Sequence, residues 1–183
     1  MTTALPTALT AGTWTIDTAH SDVAFIVRHA GISKVRGRAT GFAGQITVGD
    51  DVEDSKVAVT IDSASIATGD EKRDAHLRSA DFFEVEKYPE WTFSSTSVTP
   101  SGDDFVIAGD LTLHGVTRPV ALATEFNGVA DDPMGNRRAG FSASTQISRK
   151  EFGLTWNAAL ETGGVLVSDT AKIELELSAV LAA

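Results

Sequence analysis

The sequence predicts an all-β protein, an extended eight-stranded antiparallel up-and-down barrel carrying one short charged helix. Three observations predict it. Apolar and polar residues alternate with a period of two through most of the 183 residues, in about eight segments. Hairpin-length turns join these segments, written "GDD", "SGDD", "HGVT" and "DDPMGN", in residues that tolerate tight or positive-φ backbone. Glycines also interrupt one strand (Gly37, Gly41, Gly44), which lets a sheet curl into a closed barrel instead of lying flat.

The elements follow in chain order. Residues 1–12 carry no Lys or Arg and no long apolar run, so they read as a flexible tail ahead of a single barrel domain over 13–183. Without a secretory signal, a cytoplasmic protein is expected. "SDVAFIVRHA" places Val23, Phe25, Val27 and His29 on one face of a strand. In "KVRGRATGFAGQITV" the apolar phase changes, with Val35 and Ala39 on odd positions and Phe42, Ile46 and Val48 on even ones. An extra residue, a bulge near Thr40-Gly41, would return Val35 and Phe42 to the same face. "SKVAVTIDSASI" then aligns Val57, Val59 and Ile61.

Charges crowd together in "GDEKRDAHLRSADFFEVEKYPEWTF". Thr68-Gly69-Asp70-Glu71 fits a capping box, so a helix is expected over about 70–79 with Thr68 as its cap. Asp74 and Arg78 stand as an i,i+4 acid–base pair. Leu77, Ala75 and Ala80 make too thin an apolar stripe for a core helix. The helix therefore lies on the sheet or across a barrel end, with Phe82-Phe83 anchoring the chain. The strands "EWTFSSTSV", "DFVIAGDLTLH", "RPVALATEF" and "RAGFSASTQIS" follow. A second loop or helical insert over 151–168 brings Phe152 and Trp156. The last strand, "AKIELELSAVL", alternates throughout, with Ile173, Leu175, Leu177 and Ala179 on one face.

Composition narrows the chemistry. Fifteen Lys and Arg against 25 Asp and Glu leave a net charge of −10, which repels nucleic-acid backbones and anionic membranes. No apolar run approaches the ~18 residues of a membrane-spanning helix, and there are no cysteines. His20-Ser21-Asp22 holds the residue types of a catalytic triad, but neighbours on a strand point to opposite faces. The four histidines (His20, His29, His76, His114) lack metal-ligand spacing. Neither a catalytic residue, a metal nor a cofactor is expected.

What remains is a binding architecture, because an eight-stranded barrel has room for packed side chains or for one small ligand. The expected lining is Phe25, Val27, Phe42, Phe93, Leu111 and Leu113, continued by Phe126, Phe141 and Ile147. His29, Phe152 and Trp156 complete the set. Any one of these residues, taken singly, reads better as plain core. Small or polar residues on the same faces (Ser63, Ser95, Thr124, Ala143, Thr145) favour unfilled space, which suits an elongated apolar molecule.

Four blocks then carry a resemblance: "IDTAHSDVAFIVRHAGISKVRGRATGFAG", "SIATGDEKRDAHLRSADFFEVEKYPEWTFSST", "GDLTLHGVTRPV" and "GFSASTQISRKEFGLTWN". From about Trp14 to Leu181 the chain resembles the YceI-like proteins, the lipocalin-like polyisoprenoid-binding family. Ala39 departs from it, standing where the family usually has an aromatic. The resemblance implies a lipocalin-like barrel with a helical segment beside it and an apolar tunnel for a polyprenyl or quinone-like amphiphile. It also implies a homodimer and no enzymatic activity. Many relatives are exported to the periplasm. The charged helix would then cover the tunnel mouth, with Arg73, His76 and Arg78 meeting a polar head group. The alternative is that these residues merely pin the helix to the backbone. A scavenger of lipophilic molecules and an enzyme acting on a lipophilic substrate are the competing functions.

Overall fold

The computed structural model describes all 183 residues. The strands are β1 (Gly12–Ile16), β2 (Asp22–His29), β3 (Ser33–Ala39), β4 (Phe42–Val48), β5 (Lys56–Asp62) and β6 (Ile66–Ala67). They continue with β7 (Glu90–Ser101), β8 (Asp104–Leu113), β9 (Val116–Asp131), β10 (Arg137–Ser148) and β11 (Thr170–Leu181). Every pairing is antiparallel, and the sheet closes where β1 joins β11, pairing Trp14 with Leu181.

Eleven strands make eight staves, because each of the first three staves is broken once. A 3-10 turn at Thr18–His20 separates β1 from β2, Thr40-Gly41 separates β3 from β4, and a turn at Ser63–Ser65 separates β5 from β6. The breaks stand side by side, since β4 pairs with β1 and β5 while β3 pairs with β2 and β6. Polar groups freed from the ladder are satisfied across the breaks. The Asp62 amide donates to the Gly41 carbonyl at 2.8 Å, and the Thr40 hydroxyl to the Ser65 carbonyl at 2.8 Å. These bonds tie the two sides of the break together.

The phase change expected at Thr40-Gly41 is present, but as a two-residue break and not a bulge. Ala39 and Phe42, three positions apart, both face the interior, and Val35 shares the face of Ala39. True bulges occur in β7, between Ser95 and Ser97, and in β9, where Asn127 is extra opposite Gly140-Phe141.

Helix α1 spans Glu71–Arg78 and is capped by Asp70, not Thr68: the Arg73 amide donates to the Asp70 carboxylate at 2.8 Å. Asp caps a helix at least as well as Thr, and here it sits one residue before the first turn. Thr68 serves differently, donating its hydroxyl and its amide to Asp74. Asp74 is thus engaged, and the expected Asp74–Arg78 pair gives way to Arg78 donating to the Ala64 carbonyl at 3.0 Å.

Two apolar clusters fill the ends of the barrel. One joins Ile66, Phe82, Phe83, Trp91, Leu113, Phe152 and Leu154 beside the helix. The other joins Trp14, Ile16, Ile46, Val48, Ala139, Phe141 and Ala179 at the opposite end. The N-terminal tail also departs from expectation. Instead of hanging free it crosses that second end as a strap, with Leu5 and Leu9 packed against the cluster.

Candidate functional site

Between the two clusters lies a cavity of about 190 Å³. Of its 34 lining residues 30 are hydrophobic; the others are Pro6, Ser55, Thr124 and Thr145, and none is charged. The polar members mostly bond locally. The Thr124 hydroxyl donates to the Leu122 carbonyl at 3.2 Å, and the Ser55 hydroxyl accepts the Gly49 amide at 3.2 Å. Apolar cavities of comparable size, ~150 Å³, stay dry and admit apolar molecules.

The helix-side end is closed by aromatic rings. Phe83 meets Trp91 edge-on at 4.7 Å and Phe25 at 6.3 Å, while Phe82 tilts against Trp156 at 5.1 Å. His76 stands edge-on to both Phe82 (5.0 Å) and Trp156 (4.8 Å) and bonds Asp81 at 2.8 Å. Arg149 ties down the second insert. Only 6% exposed, it donates to the carbonyls of Ser168 (2.9 Å), Leu154 (3.0 Å), Trp156 and Val167 (3.4 Å each). Burial pushes its guanidinium below the usual arginine value, with the Asp169 charge opposing.

The far end is closed by the strap. Its start pairs with the β4–β5 connection: the Val52 amide donates to the Thr3 carbonyl at 2.9 Å, and Ala4 bridges Asp51. The Thr3 amide and hydroxyl donate to the Glu53 carboxylate at 2.9 and 2.8 Å, holding that carboxyl below its ordinary value. Leu5, Pro6 and Leu9 then line the lumen, and Arg137 donates to the Ala8 carbonyl at 2.9 Å.

An apolar lumen inside an eight-stave antiparallel barrel, closed at one end by aromatic rings beside a short polar helix, agrees with a match to the YceI-like domain over residues 14–179. The chain belongs to the YceI-like family. It is 46% identical over 136 residues to Protein YceI of Escherichia coli, covering 74% of this chain and 71% of that one. Among solved structures it resembles the Campylobacter jejuni YCEI protein, with TM-score 0.73 and 30% identity over 85% of this chain and 90% of that one. It shares its fold with a polyisoprenoid binding domain from Saccharophagus degradans, implicated in plant cell wall breakdown. That likeness has TM-score 0.69 at 18% identity, covering 94% of this chain and all (100%) of the other.

The YceI-like barrel sorts the expected site residues. Phe25, Phe42, Phe93, Leu111, Leu113, Phe141 and Ile147 line the lumen, as do Thr124, Ala143 and Thr145. Five expected residues do not. Val27 pairs with Val35, and His29 is exposed beside Ser33 and Val167, both beyond the helix-side end of the lumen. Phe126 tilts against Phe141 at 5.5 Å within the second cluster. Phe152, 1% exposed, and Trp156 are packed into the helix-side plug. Ala39 lies in the wall at that same end, against Ile66.

The residues expected at a head group are otherwise engaged. Arg73 donates to the Thr68 hydroxyl (2.7 Å) and carbonyl (3.0 Å), and Arg78 to Ala64 and Ile66 carbonyls. With His76 on Asp81, all three pin the helix, and none lines the lumen. Sequence reading missed Trp91, Phe105, Ile107 and Val98, all lumen residues, and the strap. Alternation in "DFVIAGDLTLH" does mark Phe105 and Ile107; no periodicity marks Leu5, Pro6 and Leu9.

The remaining polar chemistry lies outside the lumen. Asp17, with hydrogen bonds from Arg138 and His20, is held down at about 2. Lys172 and Arg36 hold Glu174 down at about 2, and Asp132, bonded by the Asn136 amide and Arg138, is held lower still. His20 bonds Asp17 while Ser21 exchanges hydrogen bonds with the Ser178 backbone, so the triad types form no relay.

Proposed function

We propose that this chain binds one long, apolar, isoprenoid-type lipid inside the barrel and carries or stores it. The observation carrying this reading is the lumen wall, without a charged residue and apolar in 30 of 34 positions. Such a wall rejects ions and small polar solutes, which would lose hydration without replacement bonds. Membership of the YceI-like family supports it, as does the fold shared with a polyisoprenoid binding domain. Shape supports it too. Strand β8 contributes lining residues from Phe105 to Leu113. Those eight steps, at ~3.4 Å each and a ~40° tilt, give about 20 Å along the barrel axis. A slender space of that length suits one extended chain.

Mass spectrometry of an organic extract of the purified protein tests the reading. A single chain lipid at stoichiometric occupancy is expected. A spread of unrelated amphiphiles would favour a scavenger instead, and an extract free of lipid from a protein that also takes up none would refute the proposal.

A further inference from the structure

Four buried side-chain nitrogens have no hydrogen-bond acceptor: Arg36 Nε, Trp91 Nε1, His114 Nε2 and Arg137 Nε. Only Trp91 belongs to the lumen wall. The residue is 6% exposed and stands at the plugged end, where Phe83 meets it edge-on at 4.7 Å. An aromatic ring offers that N–H no lone pair and is at most a weak acceptor. Leaving a buried donor unpaired is unfavourable, and native proteins seldom do so without a functional reason.

We propose that the Trp91 indole N–H receives a neutral acceptor oxygen of the lipid, so that the ligand enters polar end first and its chain runs back toward the strap. The inference rests on the lipid-binding reading and narrows it. An indole N–H donates only, so the recognised group must accept: a quinone, ketone, ester or amide oxygen, or a hydroxyl through its lone pair. With no charged residue in the wall, a pyrophosphate would be buried without a counter-charge. Of the cations nearest in sequence, Lys87 is exposed with its ammonium over the Tyr88 ring, and Arg73 and Arg78 are held by backbone carbonyls. A neutral head group is therefore selected over an anionic one.

The test uses three probes delivered from phosphatidylcholine vesicles: a polyprenyl benzoquinone, squalene and a polyprenyl pyrophosphate. The wild type is expected to prefer the quinone. Trp91→Phe keeps a ring and loses the donor, so quinone affinity is expected to fall about tenfold with squalene unchanged. Equal loss for both probes, loss for neither, or tightest binding of the pyrophosphate would each overturn the inference. If the wild type binds none of the three, the lipid-binding reading itself fails. Should the variant not fold, the wild-type protein still decides. It has three tryptophans, and only the Trp91 indole N–H resonance is expected to move downfield with quinone and not with squalene. An unmoved resonance refutes the hydrogen bond.

The strap carries a second, independent inference: we infer that lipid exchanges at its end of the barrel and that the strap is the moving part. The helix-side end is filled by packed rings and a buried arginine clasp. The strap end is held by a few polar bonds, from Thr3 to Glu53, Val52 to Thr3, the Trp14 indole to Thr10 and Arg137 to Ala8, and by the packing of Leu5 and Leu9. Gly12, at φ +145, gives the strap a permissive hinge where it enters β1.

The chain has no cysteine, so a lock can be engineered cleanly. Ala4 and Asp51 bridge as an antiparallel pair flanked by the bond from Val52 to Thr3, the non-hydrogen-bonded arrangement with close side chains. In Ala4→Cys/Asp51→Cys, oxidation is expected to slow quinone release to empty vesicles about tenfold or more, since the strap can no longer open locally. Reduction is expected to restore it. Thr3→Val, which loses a bond to Glu53, is expected to speed release. Unchanged release in the oxidised protein, or slowing that reduction does not reverse, overturns the gate.

Discussion

Gly37 offers the sharpest test that the lumen is open space and not filled core. It pairs with Phe25, whose ring lies over it in the way aromatic side chains cover strand glycines. A Cβ at position 37 would stand 2.2 Å from Phe25 Cζ and 2.3 Å from Cε1, with only that ring in the way. Ordinary contact begins near ~3.4 Å, so the ring must withdraw by about 1.2 Å (3.4 − 2.2). It can withdraw only into the lumen it lines. Turning the ring off its rotamer costs about 0.5–1.5 kcal/mol, or ~1–6 °C in Tm for a chain this long. Gly109 is the control. A Cβ there would meet Phe93 at 2.5 Å and the Ser94 carbonyl oxygen at 2.6 Å, and that oxygen belongs to the paired strand and cannot rotate away. Gly109→Ala must part β7 from β8, a strain of about 1–3 kcal/mol, or ~2–12 °C. Calorimetry with quinone titration reads both. Gly37→Ala is expected to weaken quinone binding about tenfold with the smaller loss of Tm. If it binds as the wild type does yet loses as much Tm as Gly109→Ala, the ring borders no open space and the lumen is wrongly assigned.

Arg149→Met removes the donor for four backbone carbonyls and is expected to destabilise by on the order of 3 kcal/mol, with proteolysis beginning within 153–168. Phe83→Ala is expected to cost about 3–5 kcal/mol, because its ring is buried against Trp91 and Phe25, without the faster lipid release that a helical lid would show. Asp17, Asp132 and Glu174 titrate lower in the folded chain than unfolded, so the stability they confer is present above about pH 4. It is lost as the pH falls from about 4 toward 2. Arg138→Gln is expected to flatten that acid limb of a Tm–pH curve, since Arg138 bonds both Asp17 and Asp132. A slope equal to the wild type's would show that the pairs add nothing to stability.

How much of this was legible depends on what alternation can report. Alternation assigns a face: Ile173, Leu175 and Leu177, or Leu111 and Leu113, read inward from sequence and line the lumen. It says nothing of depth. Val27 and His29 have the parity of Phe25, but they lie further along β2, where it pairs with the β3 end at Val35 and Ser33 and leaves the lumen behind. Bulges defeat it as well. The extra residue opposite Gly140-Phe141 leaves Phe126 and Val129 on the same inner cluster three positions apart. Cap chemistry was legible only to within two residues, since Thr68 and Asp70 both suit a helix start. The Thr68 hydroxyl is taken by Asp74 six residues on, and the cap falls to Asp70.

The two barrel ends differ most from what the sequence led one to expect, and for a common physical reason. A segment rich in charge attracts a functional reading, yet charge on α1 is what a helix needs when its own apolar stripe is thin. Arg73 and Arg78 bond the backbone of the chain just before the helix, Asp74 gathers Thr68, and the apolar hold is delegated to Phe82-Phe83. Two buried rings contribute ~1.5–3 kcal/mol each, enough to fix so polar a turn against a barrel end. The strap is the reverse case. "MTTALPTALTAGT" has neither charge nor period and looks like tail, yet a short segment needs only two or three apolar side chains to cover an apolar opening. Leu5, Pro6 and Leu9 do so, held by the bonds from Thr3 to Glu53, Val52 to Thr3, the Trp14 indole to Thr10 and Arg137 to Ala8. A cover so thinly held opens more readily than a plug of interlocked rings, which is why lipid exchange belongs to the plain end of this barrel and rigidity to the charged one.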